Sequence, residues 1–425
     1  MNDQNEREWS RLDNAAKIFP PNVSGHDTKV FRFACQLKED VQPQLLQQAA
    51  EDTLKLFPIF RSVMKQGLFW CYLEESDQLP QVREEYLPPC AAIYDPSKRN
   101  LLFRVTYYRR RINLEVFHAI TDGTGALHFL RTMVSRYLQL AHSQVLVNVP
   151  VVDYEASLDQ RGEDSFLKYY DPAKKEGKPK WQKAYRIHKE LLPEGRLQVL
   201  EGIMPVKEII GLSKQYGVTM SVFLTAILLQ SIGEGMPVRF RKRPVVSAVP
   251  VNLRNFFPSG TARNFFALIN VGYRFDTGSG QLEDILATVK QQFDDALDKE
   301  KMAARIGQMA SLERNPILRI VPWVIKKQAL RLANRVAQQY NTTSFSNLGR
   351  ITMPEELDPY IERFDVFVST DRVQICLCSY KDQLVISTTS SFVDTQIQTR
   401  FFRKLTEMGV HVQIDSNLQK EESES

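Results

Sequence analysis

Phe117-His118-Ala119-Ile120-Thr121-Asp122-Gly123 is the stretch from which the rest of the chain can be read. Residues 112–117 read as a strand. Beyond Gly123 the pattern changes: Ala126, Leu127, Leu130, Met133, Val134 and Tyr137 fall at helical spacing. His118 and Asp122 are therefore expected on a strand-to-helix loop, where rigid elements commonly hold reactive groups. Chemistry gives these residue types a purpose. An alcohol or amine attacks a thioester poorly until a base accepts its proton. Histidine titrates near neutral pH and can take that proton, then return it to the leaving thiolate. Asp122 has two available roles. It can fix the imidazole tautomer, as the carboxylate of a serine triad does, or it can hold the loop in a buried ion pair. The second is favoured because Arg254 ends a predicted strand, residues 245–253, and a guanidinium can hold a carboxylate through two parallel bonds. Gly123 leaves the backbone open to a substrate. Its N–H begins a helix, where a developing oxyanion would be stabilised.

The motif is short enough to arise by chance, and a histidine at a strand end is often just a satisfied polar residue. His26, His128, His142, His188 and His411 stand in no comparable context, and His128, on the following helix, reads as structural. Competing chemistries leave little trace. The sequence has no Gly-x-Ser-x-Gly elbow, no P-loop or dinucleotide fingerprint, and no histidine pair at metal-ligand spacing.

Composition sets the frame. A chain of 425 residues with 43% hydrophobic content is too long for one ordinary core, so two domains are expected. A net charge of +5 is too mild for a dedicated nucleic-acid binder. Basic residues cluster at 109–111, 174–189 and 239–243. They read as two turns and a solvated linker, with the alternative that one cluster holds the phosphates of an anionic acyl donor such as coenzyme A. The five cysteines, Cys35, Cys71, Cys90, Cys376 and Cys378, are odd in number and scattered, which fits neither a disulfide framework nor a zinc site and suits a reducing cytoplasm. Residues 1–10 are polar and do not read as a signal peptide. No run has the apolar length of a membrane span, so no stable membrane insertion is expected. Residues 317–325 are apolar but interrupted by Arg319 and Pro322 and closed by Lys326-Lys327. They read as a buried or groove-lining helix, with surface contact to lipid as the alternative.

The first half alternates strand and helix signals, with strands at 30–37, 60–64, 68–73, 102–108 and 112–117 and a helix at 44–56. Periodicity fails from 141 to 189, the natural crossing between domains, where Trp181 and Tyr185 suggest that the chain lies against a surface. The second half has strands at 197–204, 244–253, 265–274, 342–347, 364–369, 373–380 and 384–389. Its helices fall at 205–215, 219–232, 280–297, 301–336 and 395–408, and Gly409 fits the last C-cap. The expected class is α/β (α+β). The divisions are an N-terminal domain over 1–165, a crossing linker over 166–190, a C-terminal domain over 191–418 and a disordered tail over 419–425.

Residues 117–123 resemble the active-site motif of the chloramphenicol acetyltransferase-like superfamily. That group includes peptide-synthetase condensation domains, plant acyl-CoA-dependent acyltransferases, polyketide-associated acyltransferases and alcohol acetyltransferases. The likeness extends along the chain. Leu56-Phe57-Pro58-Ile59-Phe60-Arg61, Val249-Pro250-Val251-Asn252-Leu253-Arg254, Asn264-Phe265-Phe266-Ala267-Leu268-Ile269-Asn270 and Ser344-Phe345-Ser346-Asn347-Leu348-Gly349 each resemble family segments, as do residues 384–408. The opening Arg11-Leu12-Asp13-Asn14-Ala15-Ala16-Lys17-Ile18-Phe19-Pro20 looks most like bacterial proteins of the alcohol acetyltransferase group.

The resemblance implies a pseudo-dimer of two similar domains with an active-site tunnel between them. It places the catalytic histidine at His118, the structural aspartate at Asp122 and that aspartate's partner at Arg254, with Ser346 and Asn347 approaching the transferred acyl group. Condensation domains usually carry two adjacent histidines, and Phe117 stands at the first. The plant group's Asp-Phe-Gly-Trp-Gly motif is absent. A free-standing acyl-CoA-dependent O-acyltransferase fits best, with a small-molecule alcohol or, less well, an amine as acceptor and acyl-CoA as co-substrate. Two alternatives stay open. One draws the acyl or peptidyl group from a phosphopantetheine thioester on an acyl carrier protein, docked near Arg109 or Lys174. The other is a catalytically silent protein that binds a ligand in the tunnel.

Overall fold

The computed structural model describes residues 9–147, 149, 152, 156–172, 182–314 and 320–418. The expected tail, residues 173–181 of the crossing with Trp181, and Lys174 of the basic cluster lie outside the described residues.

The first half runs β1 (Trp9–Arg11), β2 (Val30–Leu37), α1 (Pro43–Leu54), β3 (Ser62–Gln66), β4 (Cys71–Glu75), β5 (Arg83–Glu84), β6 (Phe103–Tyr108), β7 (Arg111–Phe117) and α2 (Gly123–Ala141). Two short helices follow, α3 (Leu158–Gly162) and α4 (Ser165–Lys168). The second half begins with β8 (Gln198–Pro205), α5 (Val206–Gln215), α6 (Met220–Glu234), β9 (Val245–Asn252), β10 (Phe266–Tyr273), α7 (Leu282–Ala296) and α8 (Lys299–Arg314). It closes with α9 (Trp323–Ala337), β11 (Thr343–Ile351), β12 (Ile361–Val368), β13 (Val373–Tyr380), β14 (Gln383–Ser390), α10 (Gln396–Glu407) and β15 (Gln413–Ser416).

These strands form three sheets, with orders β1-β4-β3, β12-β2-β7-β6-β5 and β10-β9-β11-β13-β14-β8-β15. Two cores result. In the first, β7 is buried on both faces from Ile112 to Phe117, and α2 lays Phe129, Leu130, Met133 and Val134 into the same interior. In the second, α6 is buried on nearly all sides from Val222 to Leu229, which is why it is apolar all round rather than striped. The helix α10 ends where predicted. Gly409, at φ +89°, takes the left-handed position that a side chain would resist.

Sheet membership does not follow the expected division at 191. Strand β12 comes from the second half but pairs antiparallel with β2 across Phe364↔Cys35 and Val366↔Phe33. A buried charge cluster fixes this exchange. Arg111 of β7 binds Asp365 of β12 at 2.7 Å and Glu201 of β8 at 3.1 Å, which ties the two large sheets together. Burial pushes the Asp365 carboxyl up to about 8, against the pull of Arg111. The 109–111 turn therefore spends one of its three arginines inside the protein rather than on a donor's phosphates.

Two further expectations change. The helix expected over 301–336 is divided between α8 and α9, and Pro322, extended at ψ 145°, caps the second piece. The apolar run 317–325, expected to be buried or to line a groove, is mostly exposed where it is described: Ile320, Val324 and Ile325 are exposed and Trp323 alone is buried. The strand expected from 68 begins at Cys71, because Gly67 to Trp70 form the hairpin turn. Among the described residues no single helix is long and apolar enough to cross a membrane.

Candidate active site

His118 leaves β7 at its buried end, and its N–H donates to the Lys29 carbonyl at 2.9 Å. Phe19 stacks on the imidazole at 4.4 Å between centroids, Phe31 meets it edge-on at 4.9 Å, and Phe266 tilts against it at 5.7 Å. Burial in this aromatic surround pushes the imidazole below its ordinary 6.5, against the opposing pull of its own backbone carbonyl, Asp122 and Asn264. Burial thus favours the neutral ring.

Its tautomer is set by a chain of polar groups. Asn264 Oδ1 lies 3.1 Å from His118 Nδ1, and Asn264 Nδ2 donates to Asp13 Oδ2 at 3.2 Å. The Asp13 carboxylate can only accept, so it holds the amide with its NH2 turned away from histidine and its oxygen toward it. An acceptor facing Nδ1 takes the proton there and leaves the lone pair on Nε2. Asp13 is itself anchored by the Ala16 N–H at 2.7 Å, and Arg263 lies 3.8 Å away. Burial raises its carboxyl to about 6, although Arg263 opposes the shift.

Asp122 is the N-cap of α2. Its Oδ1 accepts from the N–H groups of Thr124 at 3.1 Å and Gly125 at 3.2 Å, which satisfies two otherwise orphan donors. Its Oδ2 accepts from Arg254 Nη1 at 2.8 Å and from the Phe265 N–H at 2.8 Å. Arg254 also donates to the carbonyls of Thr261 and Arg263, at 2.9 and 2.7 Å. The structure thus brings Asp122 and Arg254 together and turns Asp122 to the loop, not to the imidazole. Neighbouring residues of the second half divide the motif between them: Asn264 takes His118 and Phe265 takes Asp122.

The two glycines of the helix start differ. A Cβ on Gly123 would meet Leu348 Cδ1 at 2.8 Å, the tip of a mobile side chain. A Cβ on Gly125 would meet the Ala262 carbonyl oxygen at 2.1 Å, and Thr121 Oγ1 donates to that same oxygen at 2.5 Å. Gly125 is thus the glycine that backbone packing requires, and Gly123 faces β11 across a side chain that can move.

Ser346 and Asn347 lie on β11. The Asn347 side chain donates to Ser221 Oγ at 2.9 Å and accepts from the Gly349 N–H at 2.8 Å, while Leu348 is the residue of β11 that reaches the motif loop. Of the remaining basic groups, Arg239 and Arg243 lie against the Phe240 ring. Cavities of about 710 Å³ beside β6 and about 460 Å³ between β10 and α7 are lined by neither His118 nor Asp122. All five cysteines are buried free thiols. Among the described residues no group of histidine, cysteine and carboxylate side chains is arranged to hold a metal ion.

Asp13, Phe19 and Asn264 fall within segments that resemble the family, but the sequence assigns none of them a role at the site. Asp13 and Asn264 are 251 positions apart, and no spacing rule joins residues at that distance. Locally each has a polar or charged neighbour, Asn14 beside Asp13 and Arg263 beside Asn264, so nothing in the sequence marks either as buried.

No protein-family model and no curated protein matches the chain by sequence. Solved structures do match it over nearly its whole length. Polyketide synthase associated protein 5 from Mycobacterium tuberculosis superposes with a TM-score of 0.59 at 14% identity, over 93% of this chain and 96% of that one. F. graminearum TRI101, complexed with coenzyme A and T-2 mycotoxin, gives 0.62 at 10% identity, over 96% and 99%. The first condensation domain of the CDA synthetase gives 0.60 at 13% identity, over 95% and 96%. The chain has the chloramphenicol acetyltransferase-like fold, in its two-domain pseudo-dimeric form.

Proposed function

We propose that this chain is an acyltransferase that moves an acyl group from acyl-CoA to a hydroxyl acceptor, with Nε2 of His118 as general base. The observation that carries the reading is the Asn264 contact. A half-buried imidazole, biased to its neutral form and facing the Asn264 oxygen through Nδ1, offers its other nitrogen, with its lone pair, to an incoming hydroxyl. In the proposed reaction Nε2 takes the acceptor's proton as the oxygen attacks the thioester carbonyl. The tetrahedral intermediate then collapses, the carbon–sulfur bond breaks, and the proton on Nε2 passes to the departing thiolate, so that ester and free thiol leave and the histidine is restored. Such a base is worth about 10²–10⁴ in rate. The N–H of Gly123, at the first position of α2, is assigned the developing oxyanion. Asp122 and Arg254 are positioning residues that hold the loop. Ser346 is the β11 polar group assigned to the acyl side; Asn347, already bound to Ser221, fits that role less well.

The likeness to a condensation domain favours a second donor, a thioester on a carrier-protein phosphopantetheine arm, and Phe117 at the position of that group's first histidine weighs against it. To test the leading reading, the purified protein is incubated with short and long acyl-CoAs and a mixed alcohol and amine panel, and thiol release is followed. Acceptor-dependent release with alcohols supports it. Release only from carrier-bound donors moves the assignment to the second reading, and tight ligand binding without product moves it to a silent binding protein.

A further inference from the structure

The helix α9 is turned inside out. Its inner side is held by polar anchors: the Trp323 N–H donates to the Leu68 carbonyl at 2.8 Å, Lys326 Nζ donates to the Phe69 carbonyl at 3.0 Å and lies over the Trp70 ring at 3.5 Å, and Arg331 Nε donates to the Pro21 carbonyl at 2.7 Å. Its outer side carries Ile325, Ala329, Leu332 and Val336, at the i, i+4, i+7, i+11 spacing of an apolar helix stripe, all exposed. Ile325 is 59% and Leu332 63% exposed, and at the N-terminal end of the helix Ile320 (71%) and Leu68 (72%), on the β3–β4 turn, continue the apolar surface. A contiguous apolar face of this kind marks an interaction surface.

Charge decides the occupant. Residues 320–337 contain Lys326, Lys327, Arg331 and Arg335 and no Asp or Glu; Lys326 and Arg331 are turned inward to backbone carbonyls rather than to acids, the half-buried Lys327 and the exposed Arg335 are left to the surface, and Lys65 of the adjoining hairpin is paired with Glu74. Two copies placed face to face would set like charges together. An anionic lipid surface complements them, and an apolar stripe flanked by basic residues on a helix lying flat suits the headgroup–acyl boundary. Position adds a consequence. Arg331 holds Pro21, two residues from the Phe19 ring that stacks on His118.

We propose that α9 and the β3–β4 turn form a peripheral docking face for anionic lipid bilayers. Resting on the acyltransferase reading above, the acceptor is then a lipophilic alcohol taken from the bilayer interface beside the site.

The test is flotation of the full chain with phosphatidylcholine vesicles, with and without about one third phosphatidylglycerol. Binding is expected to the anionic vesicles, to weaken as salt rises, and to fall about tenfold for each of Ile325→Asp and Leu332→Asp while melting temperatures stay unchanged. Absence of binding to anionic vesicles at low salt overturns the proposal, as does unchanged binding of the double variant. Sedimentation as a dimer that Leu332→Asp dissolves, without vesicle binding, also overturns it in favour of a second copy. Vesicle binding is read without turnover, so a protein that binds but transfers no acyl group refutes the acyltransferase reading alone. If turnover is present, an equal rate on a water-soluble short alcohol and on a vesicle-borne long one contradicts the acceptor assignment alone.

Discussion

Asn264 Oδ1 stands 3.1 Å from Nδ1 of His118, and the same amide is held from behind by Asp13. On the proposed mechanism, this relationship lets Asn264 and Asp13 decide which imidazole nitrogen is basic. Replacing the carboxylate in Asp13→Asn removes the group that orients the amide. Asn264 can then turn its NH2 toward Nδ1, which moves the ring proton to Nε2. We expect kcat to fall at least about tenfold with KM little changed, the mark of an interaction made only in the transition state. Asn264→Asp does the opposite to the titration. It sets an anion against Nδ1–H, raises the imidazole pKa, and moves the acid limb of kcat/KM upward from below 6.5, the ordinary histidine value. Coincident pH profiles for wild type and Asn264→Asp would remove the relay.

The buried pair between Asp122 and Arg254 predicts a stability effect. Arg254→Met leaves the Asp122 carboxylate without its cation and strips a donor from two backbone carbonyls. A loss of about 3–5 kcal/mol is expected in urea unfolding. A loss below about 1 kcal/mol would place Arg254 outside the structural support of the loop.

The glycines predict an asymmetry. Gly125→Ala drives a methyl into the Ala262 carbonyl, which is backbone and cannot yield cheaply. Gly123→Ala meets only the Leu348 tip. The first should lose about 1–3 kcal/mol and the second clearly less, and Leu348→Ala should restore what the second loses. Paired thermal melts of the three variants check the order.

Stability should fall with acid in a defined window. His128 is held at about 4 against an ordinary 6.5, first by burial and then by Arg131 and Arg254. The unfolded chain takes up its proton first, so the stability of the neutral form is complete above the unfolded value and is lost as pH falls from 6.5 toward 4. His118 shifts in the same direction. Asp13 runs against them. Its pKa is raised from 3.8 to about 6, so its contribution is present below 3.8 and lost as pH rises through 6. Melting curves across this window should show a shallower acid decline for His128→Gln than for wild type; equal slopes would contradict the assignment.

Local pattern carried much of this fold into the sequence. The strand before His118 and the helix after Gly123 follow from periodicity within a dozen residues, and the fully apolar α6 from the length of its apolar run. The placement of Asp122 against Arg254 followed from charge pairing and from resemblance together. What stayed hidden depends on long-range packing. Strand β12 looks like any second-half strand, and only the Arg111–Asp365 pair and its register with β2 place it in the first sheet. Asn264 sits just before β10, and nothing in its local pattern points to a histidine 146 positions away. Within the helix expected over 301–336, the exposed stripe of Ile325, Ala329, Leu332 and Val336 has the spacing of a core face, because periodicity reports an apolar side without saying what covers it.

The most direct measurement is kcat/KM of wild type beside His118→Ala, with the fold of both followed by circular dichroism, using the acyl-CoA and alcohol that the panel identifies. We predict a loss of about 10²–10⁴ in the folded variant. A folded His118→Ala protein that turns over within a few-fold of wild type would contradict the account.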